Sequence, residues 1–254
     1  MTETPNLGGA MTAEPTREDT QHHSEGTVPS RGSTSIAAKD RLKNLAHALV
    51  DPLVKLLTRF GVGPDALTVL GLILSAAAGL AFFEGLFQWG SVLALASGVC
   101  DLLDGQVARR RGVVRKFGAF LDSTLDRLAE AAILIGIAGF YLANLLELVL
   151  DPERALAEIS RGLEPRTWAV VALTAVLAMV ASFMVSYTRA RAEGLGLECK
   201  VGWFERPERL VLLIIAGLFG VGPVMPFALI VLTLLSFWTA FQRIVHVWKI
   251  TRTR

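Results

Sequence analysis

The sequence is poor in the residues that build soluble chemistry. It has two cysteines among 254 residues, Cys100 and Cys199, too few and too isolated for a disulfide framework or a thiolate metal site. Cys100 reads as a small apolar packing residue. Four histidines are present. His22 and His23 sit in a polar tail and His47 in a basic stretch, so none forms a metal or catalytic pattern. Lys and Arg exceed Asp and Glu by only two, which gives no global basic field and argues against nucleic acid as a partner. No internal repeat is evident. The N-terminus lacks the apolar central run of a signal peptide.

What the chain has instead is apolar length. Hydrophobic residues make up 52% of it and the mean hydropathy is +0.50. Several runs reach the roughly 20 residues that cross a bilayer, so the fold class is an all-α polytopic membrane protein. Residues 1–38, rich in Thr, Ser, Gly, Pro and Glu, cannot bury a core and read as a disordered tail. Residues 39–60 carry apolar positions at helical spacing, opposite Lys39, Arg41, Lys43, Lys55 and Arg59. This is a juxtamembrane amphipathic helix suited to an anionic leaflet, with Asp51 and Pro52 as a restart point. Residues 61–254 form the third region, a six-helix membrane domain.

Six spans are expected, at about 65–83, 89–109, 117–142, 167–191, 208–219 and 225–248; the fifth is short. Gly71, Ser75 and Gly79 form a small-residue stripe on the first, which lets a neighbouring helix approach closely. Basic residues concentrate in the amphipathic helix, the turn after span 2, the loop after span 4 and the C-terminus. The positive-inside bias therefore places both termini, and all unusual charges, on the cytoplasmic side.

Those charges centre on Asp101–Asp126. Asp101, Asp104, Gly105 and Ala108 share one helical face, as do Gly118, Asp122 and Asp126 on the next span. The short basic turn between them makes antiparallel neighbours of the two helices, so the acidic faces converge. Four carboxylates in membrane spans cost about 10 kcal/mol on insertion scales, before mutual repulsion. Divalent cations, Mg²⁺ or Mn²⁺, are the natural compensation, and four acids can hold a pair that clamps a phosphoryl group. The alternative is an Asp–Arg network with Arg109, Arg115 and Arg127 that only fastens helices.

The spacing D-x2-D-G-x2-A-R-x8-G-x3-D-x3-D, matched at every fixed position by Asp101–Asp126, resembles the signature of the CDP-alcohol phosphotransferase family. By this resemblance the chain is identified as a member of it from about Gly63 to Trp248. The resemblance implies transfer of a substituted phosphate from a CDP-linked lipid, CDP-diacylglycerol, to an alcohol, with release of CMP. It implies metal binding by Asp101, Asp104, Asp122 and Asp126, with Asp126 also the general base. Gly105, Ala108 and Arg109 would line the cytidine diphosphate pocket, and Gly118 would allow close approach. Pro64-Asp65-Ala66-Leu67-Thr68 is similar to the family's P-N-x-x-T, which turns Thr68 toward the nucleotide; Asp65 departs from its Asn. A homodimer in the cell membrane, of the bacterial inner-membrane kind, is also implied.

Ser186–Glu193 reads SYTRARAE, Glu205–Arg209 reads ERPER, and span 6 carries Gln242-Arg243. These resemble the phosphatidylinositol-phosphate synthases, whose basic residues at three matching places bind the acceptor's phosphate. Here they are Arg189, Arg209 and Arg243; Arg189 replaces a familiar lysine. A guanidinium cluster suits a phosphorylated polyol, inositol phosphate or, in a phosphatidylglycerophosphate synthase, glycerol 3-phosphate. The three could otherwise be inner-leaflet anchors. A divalent-cation transporter is the rival of another class, but it needs polar groups further across the bilayer.

Overall fold

The computed structural model describes residues 52–112, 115–153, 156 and 165–252. The expected tail, residues 39–51 of the amphipathic helix, and Asp51 as its restart lie outside them. Among the described residues there is no β-strand. Residues 52–59 are helical, beginning at Pro52 as expected. Six longer helices follow: α1 Pro64–Phe83, α2 Phe87–Arg110, α3 Lys116–Leu150, α4 Pro165–Gly194, α5 Arg206–Leu218 and α6 Val224–Arg252.

Most helix ends follow from local chemistry. α1 and α5 carry Pro in the first turn, where the missing N–H costs nothing. α5 opens with a reciprocal capping box between Glu205 and Glu208, which satisfies two of the orphan N–H groups. Gly85 and Gly220 turn the chain between helices at φ 77° and 76°, a region that favours glycine. α3 runs eight residues beyond the expected end at 142, because no Gly or Pro interrupts Leu142–Leu150 and Leu148 is buried. It stops where Asp151 precedes Pro152 and adopts an extended φ/ψ, as a residue before proline prefers.

Among the described residues, five helices, α1–α4 and α6, are long and apolar enough to cross a membrane. α5 has 13 residues, about 20 Å of helix, and does not reach the roughly 30 Å of a hydrocarbon core. Large apolar side chains such as Leu80, Ile135, Leu173, Phe227 and Leu234 stay exposed on the outside of the bundle, the pattern of a lipid-facing surface.

The principal packing pairs close a ring: α1 on α2, α2 on α5, α5 on α6, α6 on α4, α4 on α3 and α3 on α1. This corrects the expectation that α2 and α3 are direct neighbours. The chain joins them by a short turn, yet each packs chiefly on α1. The reason lies in small residues. Gly71 faces Ser97 and Cys100 of α2, and the Ser75 and Ser97 hydroxyls share a hydrogen bond of 2.7 Å. Gly79 lies against Ala132 of α3, and Gly136 of α3 against the Gly79 backbone. The small-residue stripe is thus consumed within the chain.

The bundle has two unlike ends. Around the α1–α2 turn, Phe82, Phe87, Phe140, Tyr141 and Trp168 stack edge-on or tilted with centroids 5.0–6.5 Å apart, continuous with a core of Ile133, Leu134, Ile137, Leu213 and Leu229. At the other end a smaller cluster of Val54, Leu67, Leu103 and Val107 supports the polar face. There Arg111 donates to the carbonyls of Thr58 (3.1 Å) and Gly61 (3.4 Å), tying the α2 terminus to the preceding helical segment.

A Cβ at Gly136 would overlap the Gly79 carbonyl group. Gly136→Ala is therefore expected to destabilise the fold by about 1–3 kcal/mol, read as a lower Tm in detergent. An unchanged Tm would show that the α1–α3 crossing yields freely.

Candidate functional site

Ring closure through α1 leaves a gap between the C-terminal half of α2 and the N-terminal half of α3, and the aspartates line it. Asp101, Asp122 and Asp126 each place a carboxylate oxygen within 4.8 Å of the other two. Asp104 is buried one turn along α2, and its Oδ2 accepts a 2.8 Å hydrogen bond from the Thr68 hydroxyl. Thr68, Asp101, Asp104, Asp126 and Arg206 line one small cavity where α1, α2, α3 and α5 meet. The four expected acids therefore do converge, three as a cluster and the fourth beside it.

Two carboxylates 4 Å apart repel by about 4 kcal/mol at an effective dielectric of 20. Arg206 offsets part of this: its Nη1 donates to Asp101 Oδ2 at 2.7 Å and stands 3.0 Å from Asp126 Oδ1. Asp122 Oδ1 is buried and has no hydrogen-bond partner. Three convergent carboxylates, one of them with an orphaned buried oxygen, make a hard-oxygen donor set that fits a divalent cation.

Two larger cavities open on either side of the cluster. One, of about 420 Å³, is lined by Thr68, Gly105, Ala108, Arg109 and Gly118 together with Asp104 and Asp122. All five residues expected around the nucleotide share this space. Beyond its own chain neighbours, a Cβ at Gly118 would meet only Asp65 Oδ1, at 3.7 Å, so this glycine keeps the wall open and is not forced by packing.

The other cavity, of about 480 Å³, is lined by Arg189, Arg209 and Arg243 together with Asp122 and Asp126. The three arginines, from α4, α5 and α6, thus meet beside the aspartates. This geometry disfavours the anchor reading for Arg209 and Arg243, which are only 1% and 2% exposed. Arg243 donates to the carbonyls of Val201 (3.0 Å) and Val185 (2.5 Å) and to Glu205 Oε1 (3.3 Å). Arg189 pairs with Glu193 at 2.9 Å and with Glu205 at 3.4 Å. Arg209 makes a two-pronged pair with Glu130.

Arg206, Glu205, Glu193 and Glu130 were not singled out by sequence reasoning. The first three lie inside the ERPER and SYTRARAE segments, where a signal was at hand. Glu130 continues the series Gly118, Asp122, Asp126 by one more turn, a pattern that spacing alone could have shown.

Comparison with known proteins agrees with this geometry. Residues 62–251 match the CDP-alcohol phosphatidyltransferase family, and the chain belongs to it. It is an enzyme, a membrane transferase of phospholipid biosynthesis. Among its relatives are the archaetidylinositol phosphate synthase of Methanothermobacter thermautotrophicus, 36% identical over 83% of this chain and 94% of the relative, and the phosphatidylinositol phosphate synthase of Streptomyces avermitilis, 34% identical over 87% and 88%. The fold resembles crystal structures of the Mycobacterium tuberculosis phosphatidylinositol phosphate synthase. The form with CDP-DAG bound superposes with a TM-score of 0.62 at 30% identity, over 78% of this chain and 92% of the other. The form in complex with manganese and citrate gives 0.63 at 30%, over 78% and 88%. Membership in a transferase family, with the four signature aspartates at one end of the bundle, sets the cation-transporter reading aside.

Thr68→Val removes the donor to the buried Asp104 carboxylate and keeps the side-chain shape. It is expected to cost about 1–2 kcal/mol, a Tm fall of about 2–8 °C, while Thr68→Ser stays near wild type. Equal Tm values for the Val and Ser variants would show that the bond contributes nothing.

Proposed function

We propose that the protein transfers the phosphatidyl group of CDP-diacylglycerol to a hydroxyl of inositol phosphate and releases CMP. The observation that carries this reading is the aspartate cluster standing between two cavities, one lined by the nucleotide residues of the family signature and one by three arginines. The inositol-phosphate products named for its relatives support the choice of acceptor.

Asp101, Asp122 and Asp126 would hold a divalent cation, Mg²⁺ or Mn²⁺, and Asp104 would join them in holding a second. When bound, the metal neutralises charge on the diphosphate and on the departing CMP. The remaining work falls to the chain. Gly105, Ala108, Arg109, Gly118 and Thr68 form the walls for the cytidine diphosphate, and the absence of side chains at the two glycines admits it closely. Arg189, Arg209 and Arg243 hold the acceptor's phosphate through charge-assisted hydrogen bonds, which fixes its free hydroxyl beside Asp126. The Asp126 carboxylate takes the hydroxyl proton as the acceptor oxygen bonds to the lipid-side phosphorus. The bond from that phosphorus to the bridging oxygen breaks, and CMP leaves with the electron pair. Arg206, paired with both Asp101 and Asp126, keeps the base oriented between the cavities.

We further propose that α5, although shorter than a hydrocarbon core, carries the chain back through the bundle as a sixth pass and so leaves both termini on the cytoplasmic side, and that the enzyme works as a homodimer in the cell membrane. Lys55, Arg59, Arg109–Arg111, Arg115, Arg189, Arg191, Lys249 and Arg252 all belong to segments at the aspartate end, and the positive-inside bias puts that end in the cytoplasm. Water-soluble acceptor then reaches the site while the lipid tails stay in the bilayer.

Two measurements test the reaction. CMP release from CDP-diacylglycerol is expected with inositol phosphate and not with free inositol, glycerol 3-phosphate or serine; a preference for glycerol 3-phosphate would transfer the assignment to a phosphatidylglycerophosphate synthase. Asp126→Asn should bind CDP-diacylglycerol as wild type does while CMP release falls by about 10²–10⁴-fold. Undiminished turnover would remove Asp126 from the role of base.

A further inference from the structure

Glu130 has no part in the reaction as set out above, although it sits on α3 four residues, ~6 Å of helix, beyond Asp126. Its carboxylate oxygens accept from Nε and Nη2 of Arg209 at 2.6 and 2.8 Å. Both side chains are nearly withdrawn from solvent, 8% and 1% exposed. Arg209 Nη1 is buried and has no hydrogen-bond partner. Arg209, Glu130 and Asp126 all line the 480 Å³ cavity.

We propose that Glu130 is a positioning residue for the acceptor: it fixes the Arg209 guanidinium so that the unpaired Nη1 serves a phosphate oxyanion. The inference rests on reading this cavity as the acceptor-phosphate site. A guanidinium presents its donors in one rigid plane. A carboxylate that grips the Nε/Nη2 edge with two bonds fixes that plane and leaves the Nη1 edge for a ligand. Glu130 also cancels the charge of Arg209, so an anion there is recognised by aligned hydrogen bonds, with positive charge from Arg189 and Arg243 freed as the anion displaces Glu205. Glu205 stands in a different relation to those two. Its contacts are single and long, 3.4 and 3.3 Å, and its side chain is 41% exposed, so a phosphate can displace it.

The competing role for the pair is that of a fastener, since α5 packs chiefly on α2 and α6 and Glu130 reaches it from α3. Two features disfavour that role. A buried ion pair is a poor fastener beside apolar residues of the same volume. A fastener also gains nothing from a buried donor left unpaired, which is costly without a ligand.

The test uses the full chain in detergent. Binding of inorganic phosphate and of inositol phosphate is measured by calorimetry, and KM is measured separately for acceptor and for CDP-diacylglycerol. Glu130→Gln, which keeps the side-chain volume, is expected to weaken phosphate binding and raise the acceptor KM by about tenfold, with the KM for CDP-diacylglycerol unchanged. Glu130→Asp should recover part of the loss. In an Arg209→Met background, Glu130→Gln should add nothing, and that double variant leaves neither member of the pair charged. The proposal is overturned if Glu130→Gln leaves phosphate affinity intact, raises both KM values alike, or acts equally without Arg209. Wild-type protein that binds no inorganic phosphate also overturns it. Wild-type protein that binds phosphate but does not turn over inositol phosphate would reject the proposed reaction alone, and the calorimetric comparison would still decide the role of Glu130.

Discussion

Mutual repulsion among carboxylates is the constraint around which the polar half of this protein is arranged. Asp101, Asp122 and Asp126 stand within 4.8 Å of one another in a bundle whose outer surface is apolar. Such an arrangement persists only if something else holds the helices in place. That support comes from α1, whose small residues let α2 and α3 approach it closely on two sides. The backbone contacts at Gly79 and Gly136 lie about two turns or more from the aspartates along α3. The helices are fixed where they are apolar and left apart where they are charged.

The same separation explains why the site has two chambers. Were α2 and α3 packed directly on each other, the aspartates would be buried against their neighbours and no ligand could pass between them. Because each leans on α1, Asp122 lines both large cavities. On the side proposed for the nucleotide, glycine, alanine and threonine leave space. On the side proposed for the acceptor, Arg189, Arg209 and Arg243 are each already paired with a glutamate. Those pairs differ in kind: Glu130 grips Arg209 in a dry setting, while Glu205 touches Arg189 and Arg243 loosely at the cavity edge.

α5 has an influence out of proportion to its length. In 13 residues it supplies Arg206 to the aspartates and Arg209 to the 480 Å³ cavity, three positions apart on one face. Its capping box uses Glu205, the same residue that contacts Arg189 and Arg243. The start of this helix is therefore held by the polar groups of the site itself.

The sequence alone determined the membrane class, the near positions of the helices and the faces of α2 and α3 that carry the aspartates, because helical spacing and apolar length are local properties that each segment carries by itself. The five residues that the family signature and the P-N-x-x-T-like segment mark for the nucleotide line one cavity. The expected extent of α3 was short, since mixed charges after Leu142 resembled a loop when only the proline at 152 could end the helix. Tertiary structure decided what depends on relations between distant segments. It showed that α2 and α3 meet through α1, that Arg206 is the counter-ion of the cluster, and that Glu130 holds Arg209. Residues 79 positions apart in the chain acquire a common role only when the ring closes, because a hydrogen bond depends on distance in space and leaves no period in the sequence.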